Sequence, residues 1–449
     1  MKKFRAVHIL LILAILAGVY FIGVFYYKDR FPSRVYVNDI NIGGMKLERA
    51  DSELEKADLW DEVTIKSDTE EFLKIKAEDI EYKYVGTPKL PEIFREQSEW
   101  KWILSVFKKS EYITEILSTY NKDKVKSMIN GIKQLDKELL NASVVYSESS
   151  NAFVIEPHSY EIQLSKDELF DMVSEAIETR DSTVNIEKDI QQPDIFEDDE
   201  LLISAKDKAN KYLDTELVYD FGDREEVVDS SVLKDLITVD EREVDIDPEK
   251  TKEYVAELAR KYDTFSSNRQ FKTSAGEVIT TNGGSYGWLI HRSKTAEALI
   301  EEIKSEENKT IEPVYSYKAL IRDTDDIGNS YLEIDLNRQM VYVYIDGELK
   351  ISTPTVTGNL SRGFDTPTGV FPINYKERDA VLRGENYASP VKYWMPFNGN
   401  VGLHDADWRD SFGGNIYKNR GSNGCVNLPP GNAKTIYDLV YPGMPVIVH

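Results

Sequence analysis

At 449 residues the chain exceeds the roughly 100 to 200 residues of a usual domain, so two or three domains are expected. Its 41% apolar and 11% aromatic content excludes a largely disordered polymer. A formal charge of -24 excludes nucleic acid as a partner and any nonspecific anionic-surface binding, because both need clustered cations that displace counterions.

The first element is "MKKFRAVHILLILAILAGVYFIGVFYYKDRF". Lys2, Lys3 and Arg5 precede an apolar run without a polar face. The run approaches the ~20 residues a helix needs to cross a ~30 Å hydrocarbon core, and no A-x-A cleavage pattern closes it. The expectation is a cytoplasmic tail at 1–5 and a transmembrane signal anchor at 6–27, with Tyr20, Tyr26 and Tyr27 towards the far interface. By the positive-inside rule everything after about residue 30 lies outside the cytoplasm, so the chain is expected in the cell membrane as a single-pass protein.

Three exterior stretches then read as short strand, turn and amphipathic helix, in an α+β texture: Val35 to Ala57, Phe153 to Ile177, and Gly283 to Ile303. In the second, Ser165 and Glu168 form a capping box, and Leu169, Met172, Val173, Ala176 and Ile177 recur at helical spacing. Ser98 to Leu135 reads as two helices broken near Asn121. The acidic, Pro-containing stretch around "DIQQPDIFEDDELLI" marks a junction. The domains expected are therefore 31–200 and 201–325, both α+β.

From Tyr331 the texture becomes β. Leu332, Ile334 and Leu336, then Val341, Val343 and Ile345, alternate, and Asp346-Gly347 between runs is a strong hairpin signal. Only one helix, about Asn432 to Leu439, is expected before a last strand, "PVIVH". Residues 330–449 are thus predicted to form a mostly β, sandwich-like domain.

That domain holds Cys425, the chain's single cysteine, in "GSNGCVNLPP". A lone Cys is commonly a small buried hydrophobe. Outside the cytoplasm, however, an unpaired Cys also suggests a reactive thiol. Of the five histidines only His404, in "GLHDADW", lies one loop upstream in the same domain. A nearby imidazole is the usual base for a thiol nucleophile. One Cys and one His are too few for zinc, and a redox couple lacks its second thiol, so no metal and no cofactor are expected. Acyl transfer through a thioester is the remaining chemistry, with Gly424 permitting close backbone approach and N–H groups around Asn423 to Cys425 available to an oxyanion.

His404, the loop "DADWRDSFGGNIYKNRG", and Ser422-Asn423-Gly424-Cys425-Val426-Asn427 together resemble the signature of bacterial L,D-transpeptidases, and "TPTGVF" upstream resembles a further segment of that family. The regions before 330 are similar to the peptidoglycan-binding-like domains that precede this catalytic domain in some Gram-positive members. The family usually has His where this chain has Asn423, which cannot shuttle a proton near neutral pH. The resemblance implies Cys425 as nucleophile and His404 as sole imidazole base. Ser422, Asn423 and Gly424 would support the oxyanion site. From their place in the loop between His404 and Cys425, Trp408, Phe412 and Tyr417 either cradle the stem peptide or pack within the loop. It further implies peptidoglycan stem peptides as partners, 3→3 cross-link formation from a tetrapeptide donor with loss of D-Ala, and acylation by carbapenems. A noncatalytic wall-binding scaffold and an L,D-carboxypeptidase are the alternatives.

Overall fold

The computed structural model describes residues 2–384 and 387–449. Met1, in the expected tail, and Glu385 and Asn386, in the expected catalytic domain, lie outside the described residues. The N-terminal run is one helix, Lys2–Tyr27, with its apolar stretch from Phe4 to Tyr27 almost wholly exposed. An apolar surface on every side has no soluble core to face, and the helix leaves it uncovered.

The chain divides into two compact units. The first comprises Met1–Ala142 and Pro157–Phe196. One of its cores gathers Phe31, Val35, Val37, Ile42, Leu54 and Leu90. Another packs helix Lys166–Thr179 on a three-stranded sheet through Leu169, Val173 and Ile177 against Val63, Ile65 and Ile75. The expected capping box is present: the Ser165 hydroxyl accepts from the Glu168 N–H, and the Glu168 carboxylate accepts from the Ser165 N–H. The stretch 98–135 differs from its sequence reading. Only Trp102–Phe107 and Lys122–Asn130 are α-helical, and short strands Ser110–Tyr112 and Leu117–Thr119 lie between them. These strands pair with Val35–Val37 and Lys83–Gly86, so distant partners override a locally helical pattern.

The second unit comprises Ser143–Glu156 and Glu197–His449. Its early hairpin, Ser143–Ser147 with Ala152–Glu156, lies upstream of the junction read near residue 200. Asn210, on helix Glu200–Leu213, explains this: its side chain accepts from the Phe153 N–H and donates to the Phe153 carbonyl, both at 2.9 Å. A side-chain amide that mimics a strand partner thus draws the hairpin into the later unit.

From residue 331 nine strands among the described residues build two sheets. They are β1 (Tyr331–Asp335), β2 (Met340–Ile345), β3 (Glu348–Pro354), β4 (Gly369–Pro372), β5 (Glu377–Gly384), β6 (Tyr387–Asn398), β7 (Val401–Asp405), β8 (Val426–Leu428) and β9 (Pro445–Val448). One sheet runs β3-β2-β1-β9-β4 and the other β5-β6-β7-β8. Asp346 and Gly347, at φ 52° and 80°, make the expected tight turn from β2 to β3. The sheets and helix Pro430–Leu439 enclose one core: Leu332, Val341 and Val446 from the first sheet, Met395, Leu403 and Val426 from the second, Ile436 from the helix. A mostly β C-terminal region after α+β regions is therefore what the chain forms. A short helix, Ile416–Arg420, adds to the one read from sequence.

Polar groups join this sandwich to the residues before it within the same unit. Arg269 donates from Nε and Nη2 to the two oxygens of Asp326 at 2.7 Å each, with side-chain exposures of 9% and 2%. It also donates to the carbonyls of Thr264 and Ser267. The buried Glu333 carboxylate accepts from the Ser274 N–H and hydroxyl, and its other oxygen lies 3.0 Å from His449 Nε2. Removing one partner of a buried pair strands the other charge at a cost of about 3–5 kcal/mol. Arg269→Ala should therefore lower unfolding free energy by about that amount in urea titrations of the full chain. A loss below about 1 kcal/mol, the range of a surface pair, would show that water reaches Asp326.

Candidate active site

The alternation of β7 and β8 places the site. Leu403, Val426 and Leu428 point into the core, so the residues between them face away from it. The strands pair in parallel with Leu403 opposite Val426 and His404 opposite Asn427. Cys425, two residues before Asn427, falls on that same outer face. A thiol and an imidazole 21 positions apart in sequence are thus brought to one surface by three rungs of pairing.

His404 is buried and its tautomer is set by its neighbours. Arg409 Nε can only donate, and it donates to Asn427 Oδ1 at 2.7 Å. The Asn427 amide nitrogen must then face His404 Nε2, which accepts at 3.0 Å. The remaining ring nitrogen, Nδ1, donates to the Asp405 carbonyl at 2.8 Å. The Asp405 carboxylate, also buried, accepts from the Lys392 and Tyr393 N–H groups. Desolvation is the main influence on His404 and holds its pKa below the usual imidazole range, against smaller raising effects of the Asp405 carbonyl and carboxylate. The imidazole is therefore neutral, with its lone pair on Nε2.

Cys425 is half-buried. Its Sγ is 3.5 Å from the Asn400 carbonyl, to which it donates. Desolvation raises the thiol's pKa, offset in part by the Gly402 N–H. Ser422 anchors the turn before it, donating from Oγ to the Cys425 carbonyl at 2.5 Å and accepting from the Gly424 N–H at 3.1 Å. Gly424, at φ 110°, adopts a conformation that L side chains rarely take. Its N–H is engaged by Ser422, whereas among the described residues those of Asn423 and Cys425 have no acceptor.

Two cavities flank Cys425. One, of about 270 Å³, is lined by His404, Trp408, Arg409, Ser422, Asn423 and Asn427 as well as Cys425. The other, of about 340 Å³, is lined by Tyr375, Glu377, Arg383, Trp394 and Asn400 with Cys425. Cys425 and Leu382 of β5 border both. The structure thus brings together Cys425, His404, Ser422, Asn423, Gly424 and Trp408, whose ring lies 5.8 Å from that of His404. Tyr417 sits on the short helix Ile416–Arg420 and lines neither cavity.

Sequence reading missed three contributors. Asn427 was in the quoted motif, but its amide shows its use only once β7 and β8 are paired. Arg409, in "DADWRDSF", looks like one surface charge among many, yet it is half-buried and orients Asn427. Thr366, in "TPTGVF", accepts from the Gly358 N–H and donates to the Gly424 carbonyl at 2.7 Å, fixing the loop that carries Cys425.

Sequence comparison fits this geometry. Residues 329–448 match the L,D-transpeptidase catalytic domain family, YkuD, and residues 203–312 match a family described as "Putative peptidoglycan binding domain". A solved cysteine-to-serine mutant of Enterococcus faecium L,D-transpeptidase is 34% identical over 54% of this chain and 98% of its own, with TM-score 0.48. The avibactam carbamoyl form of the E. faecium enzyme Ldtfm is 34% identical over 55% and 98%, with TM-score 0.49. The E. faecium catalytic domain acylated by ertapenem is 42% identical over 27% and 97%, with TM-score 0.25. No curated protein matches the chain. The chain belongs to the L,D-transpeptidase family, whose catalytic domain defines a cysteine-dependent enzyme.

The pKa directions make the resting pair a neutral thiol and a neutral imidazole. Alkylation of Cys425 by iodoacetamide, followed by mass spectrometry, should be slower at pH 7 than that of a free thiol. It should rise with pH through a midpoint above 9.0, the ordinary value for the thiol. Fast alkylation at pH 6 would instead reveal a preformed thiolate. His404 carries the matching stability signature. Its proton is bound more readily in the unfolded chain, so its contribution is present above pH 6.5 and is lost as pH falls below it.

Proposed function

We propose that the chain is a membrane-anchored L,D-transpeptidase that forms 3→3 peptidoglycan cross-links, with Cys425 as nucleophile and His404 as its base. The observation that carries this reading is Cys425 at the common wall of two cavities, with His404 in only one. His404 Nε2 takes the thiol proton as Sγ attacks the carbonyl of the third stem residue. The N–H groups of Asn423 and Cys425 would receive the oxyanion. Collapse breaks the C–N bond to D-Ala, and the imidazolium returns its proton to the departing amine, which leaves a thioester. The side-chain amine of a second stem then attacks, gives its proton to Nε2, and expels the Cys425 thiolate.

The leaving amine must lie on the His404 side, and its residue ends in a carboxylate. Arg409 lines that cavity, and among the described residues it has no carboxylate partner. Arg409 would receive the terminal carboxylate of the donor, while Trp408 borders its path; Tyr417 would act at most through its loop. The anchor at 6–27 would follow a cytoplasmic tail at 1–5 and hold the remainder on the wall face of the cell membrane. Domains at 31–200 and 201–325 would contact peptidoglycan, and 330–449 would catalyse. The match at 203–312 supports the second of these assignments.

Intact-mass analysis of the full chain with a carbapenem should show one covalent adduct, abolished in Cys425→Ala and slowed in His404→Ala. Disaccharide-tetrapeptide should yield dimer mass with loss of D-Ala. Tripeptide alone would point to carboxypeptidase action, and neither adduct nor turnover on a folded chain would leave a wall-binding scaffold.

The Arg409 assignment has its own signature. Wild type should prefer a donor with a free terminal carboxylate over its carboxamide by about tenfold to a hundredfold in kcat/KM, the range of a charge-assisted hydrogen bond. Arg409→Gln should bring that ratio close to one. Equal slowing of both donors would mean that Arg409 acts only by holding Asn427.

A further inference from the structure

Beside the N-terminal helix, the segment Glu99–Phe107 is inside-out for a water-facing element. A 3₁₀ turn, Glu99–Lys101, leads into helix Trp102–Phe107. The residues turned towards the protein are Trp102 and Ser105. The Ser105 hydroxyl accepts from the Ser33 N–H at 3.1 Å and lies 3.0 Å from the Ser33 hydroxyl. Apart from Lys101, the residues turned outwards are apolar: Trp100, Ile103, Leu104, Val106 and Phe107, the last 80% exposed. Contiguous apolar exposure of this kind marks a surface covered by something other than water.

What covers it follows from where it is fastened. The Tyr20 hydroxyl donates to the Trp100 carbonyl at 2.8 Å, and Trp102 Nε1 donates to the Tyr20 carbonyl at 3.1 Å. The Trp102 ring stacks on Tyr27 at 5.8 Å, and Trp100 meets Phe21 edge-on at 6.2 Å. Tyr20 is seven residues before the end of the apolar stretch and sixteen after its start. At about 1.5 Å per residue it stands roughly 24 Å above Phe4, inside the outer limit of a ~30 Å hydrocarbon core. The patch is thus tied to the span within about 10 Å of its outer end, the depth at which interfacial amphipathic helices lie. Trp and Tyr are the side chains enriched at that level. The exposed Lys101, next to Trp100, and Lys108, just beyond Phe107, have stems long enough to reach the headgroups.

We propose that Trp100 to Phe107 is a second membrane contact, seated in the outer leaflet beside the anchor, with lipid acyl chains against Ile103, Leu104, Val106 and Phe107. This rests on the reading of residues 6–27 as a retained anchor. A single helix leaves an attached module free to swivel, and a lateral apolar foot removes that freedom. The first compact unit is then held against the bilayer as a fixed base.

The test uses the full chain with Cys425→Ser, which leaves no native cysteine, reconstituted in phosphatidylcholine–phosphatidylglycerol vesicles. Single cysteines are introduced by Leu104→Cys, Phe107→Cys, Leu13→Cys in the span, and Glu78→Cys at an exposed site elsewhere in the same unit, each carrying an environment-sensitive fluorophore. Labels at 104 and 107 should be quenched by lipids with a doxyl group high on the acyl chain, and the label at 78 should not. The label at 13 should respond to deep doxyl groups. If 104 and 107 behave like 78 while 13 is quenched, the anchor stands and the foot is overturned. If 13 also escapes quenching, the anchor reading fails and the foot falls with it.

Discussion

Three rungs of parallel pairing, Leu403 to Asp405 against Val426 to Leu428, are the constraint on which the catalytic region depends. A parallel pair cannot be closed by a tight turn and needs a long connection. Here it is the loop carrying Trp408, Arg409 and the short helix Ile416–Arg420. The core fixes the register through Leu403, Val426 and Leu428, because a slip by one residue would turn those side chains outwards and point Cys425 and Asn427 into the core. Hydrophobic packing on one face of the sheet thereby sets the chemistry on the other.

The same burial that positions the groups also keeps them uncharged. Both His404 and Cys425 are held in their neutral forms mainly by desolvation, so no ion pair stands ready between them. Proton transfer has to accompany attack, when the developing oxyanion and the bound substrate change the field. Asn427 occupies the imidazole lone pair in the meantime and is itself held by a donor-only arginine. A directional chain from Arg409 through Asn427 and His404 to the Asp405 carbonyl thus fixes the imidazole tautomer without a second histidine. Asn423, in the position where the family usually has one, faces the cavity and takes no part in that chain.

Around this centre, polar groups at buried positions join the sandwich to the residues before it. Asp326 lies in the connecting segment between the two, and its pairing with Arg269 makes a linker-like sequence part of the packed structure. The Ser274–Glu333 contact works similarly, satisfying a buried carboxylate that would otherwise be costly. In the first unit the contact that matters is with the N-terminal helix, where Trp102 and Tyr20 exchange hydrogen-bonding and stacking partners.

Much of this was legible from local pattern. The apolar run without a polar face, the capping box at Ser165, the period-two strands from Leu332 and the Asp346-Gly347 turn all depend on near neighbours in the chain, while the His404 to Cys425 motif was legible through its resemblance to a known family. Local physics suffices to read the first four. What needed the tertiary structure were features whose partners are remote in sequence. Ser110–Tyr112 pairs with the edge that Val35–Val37 offers, and the hairpin at 143–156 joins the second unit through contacts such as Asn210 to Phe153 and Lys234 to Glu148. Arg409 changes from a surface charge to the residue that orients a buried amide only when β7 and β8 are side by side. Sequence alone determined which side chains could carry the chemistry. Folding decided which lone pair faces which donor and which cations lie in a cavity, because hydrogen-bond direction and desolvation arise only between groups that packing has brought together.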